Sequence, residues 1–339
     1  MSADRAPDGE FLAAAVPGVP GLRFRPPRVP DDYRAMNDAA NAAREADGQF
    51  ITSLEQFSAF YDHLSNCDME RDVFIAEVDG QVAGYGRCAW QREHAGDLVL
   101  DVICLLDPAW SRRGIGGALQ AVLERRATEV AAGLRGDGPA WFQSMAPNHA
   151  AGRVALLLES GFAPVRYGYT MVRPTLDDQP DAPLPQGLEI REVRPEHLRA
   201  IWEADREAFR DHWGEGEGTE EQYQQFLADP VQGDTSLWRV AWDGDRVAGQ
   251  VRSFVNAAEN RRLGRTRGWV ENISVRRPWR HRGLARALMA ASFPLLRARG
   301  MTEGALGVDA DNPTGALRVY ESVGFVPVSG ETTYRKQIP

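Results

Sequence analysis

Residues 269–325 read WVENISVRRPWRHRGLARALMAASFPLLRARGMTEGALGVDADNPTGALRVYESVGF, and the fold follows from their order. Trp269 to Val275 is rich in β-branched and aromatic residues and predicts a strand. It runs into a basic turn, after which Leu284, Leu288, Ala291 and Leu295 recur at helical spacing. A second strand-like run follows. Asn312 and Pro313 then read as the cap and first residue of a helix reaching Val323, closed by Gly324 and Phe325.

Working outward, the same landmarks occur twice. Gly21-LRFRPPRVPDDYRAM matches Gly187-LEIREVRPEHLRAI at an offset of about 166 residues. VFIAEVDGQVAGYGRCAW from Val73 matches WRVAWDGDRVAGQVRSFV from Trp238; both alternate around Asp-Gly turn chemistry and predict a hairpin in each half. The basic glycine turn recurs as Ser111-Arg-Arg-Gly-Ile-Gly116 and Arg280-His-Arg-Gly-Leu-Ala285, and Gly161-Phe162 repeats Gly324-Phe325. Two unrelated α/β domains are the alternative, but four landmarks in one order favour a tandem duplication. Each half predicts a strand, one or two helices, a hairpin and a further strand, then helix, strand, helix and closing strands. The fold class is α/β (α+β): two similar domains, each a mixed, mostly antiparallel sheet flanked by helices.

The chain's 339 residues suit two such domains. Residues 174–186, rich in Pro and Asp, read as an extended linker between an N-terminal domain at 21–173 and a C-terminal domain at 187–339. Residues 1–20 carry acidic residues where a secretory signal needs positive charge and read as a loose leader. No apolar run is long enough to cross a bilayer. Cys67, Cys88 and Cys104 have neither disulfide-framework nor zinc-ligand spacing, so no metal is expected and a reducing cytoplasm fits best. A formal net charge of −9 argues against nucleic-acid binding, which draws its affinity from neutralising phosphates.

At the start of a helix the first backbone N–H groups lack partners and the helix dipole favours negative charge. Gly283 and the small Ala285 therefore allow a pyrophosphate to approach closely. Alone, such a turn is a weak signal, because Gly and Arg are common at helix starts. Within the whole module it resembles the GNAT superfamily of acetyl-CoA-dependent acyltransferases, whose signature (Gln or Arg, two residues, Gly, one residue, Gly or Ala) stands here as Arg280-His281-Arg282-Gly283-Leu284-Ala285. The resemblance covers nearly the whole chain after Gly21. It implies acetyl-CoA as acyl donor, with the pyrophosphate on residues 280–285, the pantetheine arm along Ile273, Ser274 and Val275, and Asn312 near coenzyme A. It makes Tyr320 the acid that protonates the departing thiolate and Glu271 the base that takes a proton from the amine, directly or through water. A phenol of pKa about 10 can protonate a nearby thiolate, and an ammonium of similar pKa must lose its proton before it can attack. The bland readings are a core aromatic for Tyr320 and a strand carboxylate paired with Arg267 for Glu271.

By the same resemblance the acceptor meets the first helices and their loop, where Asp211, His212 and Trp213, with Glu215 and Glu217, could attract a cationic amine. A solvated loop is the competing reading. Arg261, Arg262, Arg265 and Arg267 read as a charged hairpin between strands, with contact to the adenosine 3′-phosphate as the second possibility.

The first copy keeps Arg112, Arg113, Gly114, Ile115 and Gly116, so it could still hold a cofactor phosphate. Leu157 stands four residues before Gly161, where the second copy has Tyr320, and Asp101 does not share the spacing of Glu271. The expectation is a catalytically degenerate first domain. The tandem arrangement is similar to that of the mycothiol synthase family, actinobacterial enzymes that acetylate a cysteinyl amine. The function expected is therefore acetyl transfer to the primary amine of a small molecule, with acetylation of a cysteinyl amine or a non-catalytic acyl-CoA sensor as alternatives. A monomer with its two domains paired is expected.

Overall fold

The structure, a computed structural model, describes residues 18–134, 136–311 and 315–339. The leader's residues 1–17 and the Asn312-Pro313-Thr314 cap lie outside the described residues; Val19 is buried against the first core.

The chain forms two compact units, Met1–Val165 with Glu331–Pro339, and Arg166–Gly330. They do not divide at the Pro/Asp-rich segment: residues 174–186 belong to the second unit, and Leu176 is buried in its core. The first unit contains β1 (Leu22–Arg25), α1 (Tyr33–Ala46), α2 (Leu54–Tyr61), β2 (Val73–Val78), β3 (Gln81–Arg92), β4 (Leu98–Leu106), α3 (Ile115–Leu134), β5 (Ala140–Pro147) and α4 (Ala151–Glu159). The chain leaves it through β6 (Ala163–Arg173). The second unit contains β7 (Glu189–Arg191), α5 (Leu198–Phe209), α6 (Glu220–Ala228), β8 (Trp238–Asp243), β9 (Arg246–Phe254), α7 (Ala257–Leu263), β10 (Arg267–Val275), α8 (Leu284–Ala298), β11 (Glu303–Asp309) and α9 (Ala316–Glu321). The last strand, β12 (Val326–Gln337), returns to the first unit.

Each sheet is thus completed by a strand from the other half of the sequence. In the first unit the order is β1-β2-β3-β4-β5-β12, with residues 331–337 antiparallel to β5. In the second it is β6-β11-β10-β9-β8-β7, with residues 168–173 antiparallel to β11. Strands β4 with β5 and β10 with β11 run parallel, each pair joined by one helix crossing the sheet.

Local chemistry explains the hairpins. Asp79 (φ 48°) and Gly80 (φ 82°) form the two-residue link between β2 and β3, both in the left-handed region that matches the twist of the strands. Gly244 (φ 57°) does the same at the first position of the β8–β9 link. Helix α3 packs Leu119, Val122 and Leu123 onto one face of the first sheet, while α1 and α2 cover the other with Tyr33, Met36 and Phe57. Helices α8 and α9 repeat the first layer with Leu288, Phe293 and Tyr320, and α5 repeats the second with Ile201 and Ala204. Burying one such large apolar side chain contributes about 1.5–3 kcal/mol.

Residues 257–263 form helix α7 between β9 and β10, where a charged hairpin was expected. Asn256 accepts from the Glu259 N–H at 3.1 Å, Gly264 ends the helix, and Arg265 pairs with the buried carboxylate of Glu259. Among the described residues α9 begins after Gly315 and stops at Glu321, short of the Val323 expected.

Candidate active site

In the second unit β10 and β11 are paired at only three positions, from Arg267 with Glu303 to Trp269 with Ala305. Beyond them β10 stays on β9 as far as Val275, and β11 stays on β6 as far as Asp309. The two strands therefore part and leave a split with unpaired edges on both sides. Glu271 stands just past the last paired position. Its Oε1 accepts the N–H of Gly307 on the opposite strand at 2.8 Å, so the carboxylate bridges the split.

The strand is also bulged there. Its register with β9 jumps between Glu271 and Ser274, Asn272 has φ 50°, and Asn272 and Ile273 have no partner in the ladder. A Cβ at Gly249 would lie 2.8 Å from the Ser274 carbonyl oxygen, so glycine permits the close approach of β9 beside the bulge. The Arg276 N–H donates to the Ala248 carbonyl on the β9 side; by alternation, the amide of Val275 faces the split.

At the end of β10 the chain makes the basic turn. His281 (φ 59°) and Gly283 (φ 81°) are left-handed, and none of the amides of residues 281–285 donates to a backbone carbonyl among the described residues. Such an alternation of left- and right-handed residues gathers N–H groups into an anion-binding nest at the helix start. A Cβ added to Gly283 would meet nothing within 4 Å, so the space before the nest is open. The residues present fit a pyrophosphate.

The side chain of Arg280 points elsewhere. Its Nε donates to the Val275 carbonyl at 3.0 Å and its Nη2 to the Ala208 carbonyl at 2.8 Å, while Nη1 lies 3.4 Å from Asp211. Arg282 donates to the Gln186 carbonyl at 3.1 Å. Leu284 is buried under the helix and Ala285 is half-buried.

Tyr320 on α9 is buried, and its phenol is pushed well above the ordinary value, first by burial and then by the negative charge of Glu271. The Glu271 carboxylate is thus within electrostatic reach of the Tyr320 phenol. Tyr320 also packs in the core with Leu288 and Phe325, as the aromatic reading expects. Arg267 pairs with Glu303 at 2.7 Å.

In the loop after α5, Asp211 is already engaged. Arg277 Nε donates to it at 2.9 Å, and the arginine holds its carboxyl below the usual range. Glu215 pairs with Arg206 at 3.0 Å. His212 packs edge-on against Phe209 at 4.6 Å, and burial lowers its pKa from 6.5, leaving a neutral imidazole at pH 7. Trp213 is exposed, with the Arg166 guanidinium 5.7 Å from its ring centre. Arg166 grips Asp309 with two hydrogen bonds of 2.9 and 2.6 Å. None of Gly307, the bulge at Asn272 and the Arg166–Asp309 pair is singled out by the sequence.

The first unit repeats the turn and the parting of the parallel strands, β4 and β5 being paired only from Leu98 with Ala140 to Asp101 with Gln143, but lacks the bulge, the carboxylate and the phenol. Arg112 (φ 60°) and Gly114 (φ 86°) stand in the conformations of His281 and Gly283, and α3 starts at Ile115, followed by Gly116, as α8 starts at Leu284. Strand β4, however, pairs with β3 without interruption from Leu98 to Leu106. Matching Arg87 on β3 to Arg252 on β9, the residue opposite is Ile103 where the second unit has Glu271. Counted from these two positions, the run to the glycine turn is one residue longer in the second half, and that spacing is the one trace of the bulge in the sequence. Asp101 lies lower, bonded to Gln143 at 2.9 Å, and Leu157 fills the place of Tyr320. Cys67, Cys88 and Cys104 are free thiols, and burial pushes that of Cys104 up to about 11. Among the described residues no helix is long and apolar enough to cross a membrane, and no group of three or more His, Cys, Asp or Glu could hold a metal ion.

A split sheet, a bulged strand, a helix-start turn with open amides and a carboxylate within electrostatic reach of a buried phenol are all features of the second unit. The chain belongs to the GNAT family of acetyltransferases: the family model matches residues 36–155 and again 198–325. It is accordingly an N-acyltransferase. It is 30% identical over 320 residues to a mycothiol acetyltransferase of Salinispora arenicola (93% of this chain, 95% of that one), and 29% over 312 residues to one of Thermobispora bispora (91% and 97%). Among solved structures it superposes on a GCN5-related N-acetyltransferase from Sphaerobacter thermophilus with TM-score 0.67 and 27% identity, covering 94% of this chain and 96% of the other. A tandem GNAT protein from the clavulanic acid biosynthesis pathway gives TM-score 0.67 at 17% identity, over 94% and 99%, a likeness of fold.

Proposed function

We propose that the second unit transfers the acetyl group of acetyl-CoA to the primary amine of a small molecule by direct attack, with no acyl-enzyme. The observation that carries this is Glu271, fixed across the sheet split by the Gly307 amide and within electrostatic reach of Tyr320. Acetyl-CoA supplies the activated acyl group. Its pyrophosphate would be held by the amides of residues 281–285 and its pantetheine arm by the split-facing backbone of residues 273–275. Glu271 accepts the proton that the ammonium must lose, directly or through water; as the tetrahedral adduct collapses and its C–S bond breaks, Tyr320 gives its proton to the departing sulfur, and the proton shed by the new amide nitrogen restores the phenol. The acceptor we favour is a cysteinyl amine of a thiol precursor, the substrate class suggested by the mycothiol acetyltransferases this chain resembles along 95% or more of their length. We assign the first unit cofactor binding without turnover, because it keeps the nest but has Ile103 and Leu157 in place of the base and the acid.

Loss of the thioester's ultraviolet absorbance, followed over a panel of amines that includes cysteine derivatives, tests the reading. Acetylated product, identified by mass spectrometry, with the cysteinyl amine preferred supports it. Preference for an amine without a thiol removes the acceptor assignment, and no thioester loss with any amine removes the function.

A further inference from the structure

Arg280 holds the first position of the signature turn, yet its guanidinium faces away from the nest. It joins three parts of the second unit: the end of β10 at the Val275 carbonyl (3.0 Å), the end of α5 at the Ala208 carbonyl (2.8 Å), and Asp211 at the start of the acceptor loop (3.4 Å). Arg277 reinforces the last contact at 2.9 Å, and Arg276 adds Glu207 at 2.5 Å. A guanidinium has five donors in a rigid plane and reaches several acceptors without changing rotamer. The loop it touches is tied back to α5 through Arg206, which bonds the Gly216 carbonyl at 2.6 Å and the Glu215 carboxylate at 3.0 Å.

We propose that Arg280 is a positioning residue, a strut that carries occupancy of the cofactor turn to the acceptor loop through Asp211, and not a ligand of the phosphates. This rests on the function proposed above. A pyrophosphate seated on the nest immobilises the backbone from which Arg280 projects. The strut then stiffens residues 210–219, and the acceptor meets an ordered loop once the donor is bound. The first unit provides an internal contrast: Ser111 stands at the equivalent position and is too short to span such contacts.

The test uses the full chain and coenzyme A. Coenzyme A affinity is measured by calorimetry, and amide hydrogen exchange over residues 210–219 is compared with and without it, for wild type, Arg280→Ser and Asp211→Asn. Wild type is expected to slow exchange in the loop by about fivefold or more on binding, the scale of an ordinary coupling between sites. Both variants are expected to bind coenzyme A within about threefold of wild type and to lose that response. A variant that merely loosens the loop would exchange faster with and without the ligand and keep the ratio, which overturns the strut. A tenfold or greater loss of affinity in Arg280→Ser, with the loop response intact in Asp211→Asn, makes Arg280 a phosphate ligand and also overturns it. If wild type binds no coenzyme A, the proposed function fails and the strut with it.

Discussion

The Glu271 carboxylate accepts the Gly307 amide proton at 2.8 Å across the gap between two parallel strands that are no longer paired. A backbone amide that would otherwise continue the ladder instead orients a side chain. Glu271→Gln keeps an acceptor oxygen for Gly307 and removes only the charge. Acetyl transfer is expected to fall about 10²-fold or more, the usual contribution of a positioned base, with the melting temperature little changed. Initial rates across pH, beside a thermal melt, check both.

Tyr320→Phe removes the acid and leaves the aromatic packing. Turnover should drop about 10²-fold while coenzyme A affinity stays near wild type. Because burial and Glu271 both raise the phenol's pKa, it stays protonated throughout the assay range, and the rate should show no alkaline limb from this group. The sign for stability follows: Tyr320's contribution is complete below about pH 10, the unfolded value, and is lost as pH rises through the higher folded value. Spectroscopic phenol titration with denaturation at several alkaline pH values reads this directly.

His212 runs the other way. Burial lowers its pKa below 6.5, so its neutral form contributes to stability above that pH, and the contribution is lost as pH falls through the lower folded value. An NMR titration should place His212 below the ordinary imidazole value, and His212→Gln should flatten the loss of stability between about pH 6.5 and 5.

The first unit should not be rescued by restoring its phenol. Leu157→Tyr in a Tyr320→Phe background is expected to leave activity at the Tyr320→Phe level, because Ile103 supplies no carboxylate and β4 lacks the bulge. Turnover of the double variant measures it.

Much of this architecture is legible in the residues because its signals are local. Asp79-Gly80 and Gly244 announce the two hairpins, and Gly283 and its counterpart Gly114 announce one left-handed position in each basic turn, whereas those at His281 and Arg112 are not legible from residue type. The exchange of β6 and β12 between sheets is hidden, since which strand a run such as TTYRKQ joins depends on partners nearly two hundred residues away. Helix α7 has its cap, Asn256, and its stop, Gly264, in plain view. The arginines at 261, 262, 265 and 267 outweigh those signals and make the segment read as a charged turn, whereas in the structure Glu259 is buried and pairs with Arg265. At the site, Glu271 and Tyr320 are visible as residue types at family spacings. Gly307 and the Val275 and Ala208 carbonyls that hold Arg280 are not, because a backbone amide and a carbonyl leave no trace in residue identity.

On the function proposed above, the second unit alone performs the transfer. Gly283→Trp and Gly114→Trp place the same bulk at equivalent turns, at φ 81° and 86°, so the backbone strain of each substitution is matched. Acetyl-CoA consumption by the two variants, each first confirmed folded by its melt, is the most direct measurement. Turnover is expected to be abolished in Gly283→Trp and retained in Gly114→Trp; the reverse pattern, or equal loss in both, would contradict transfer by the second unit alone.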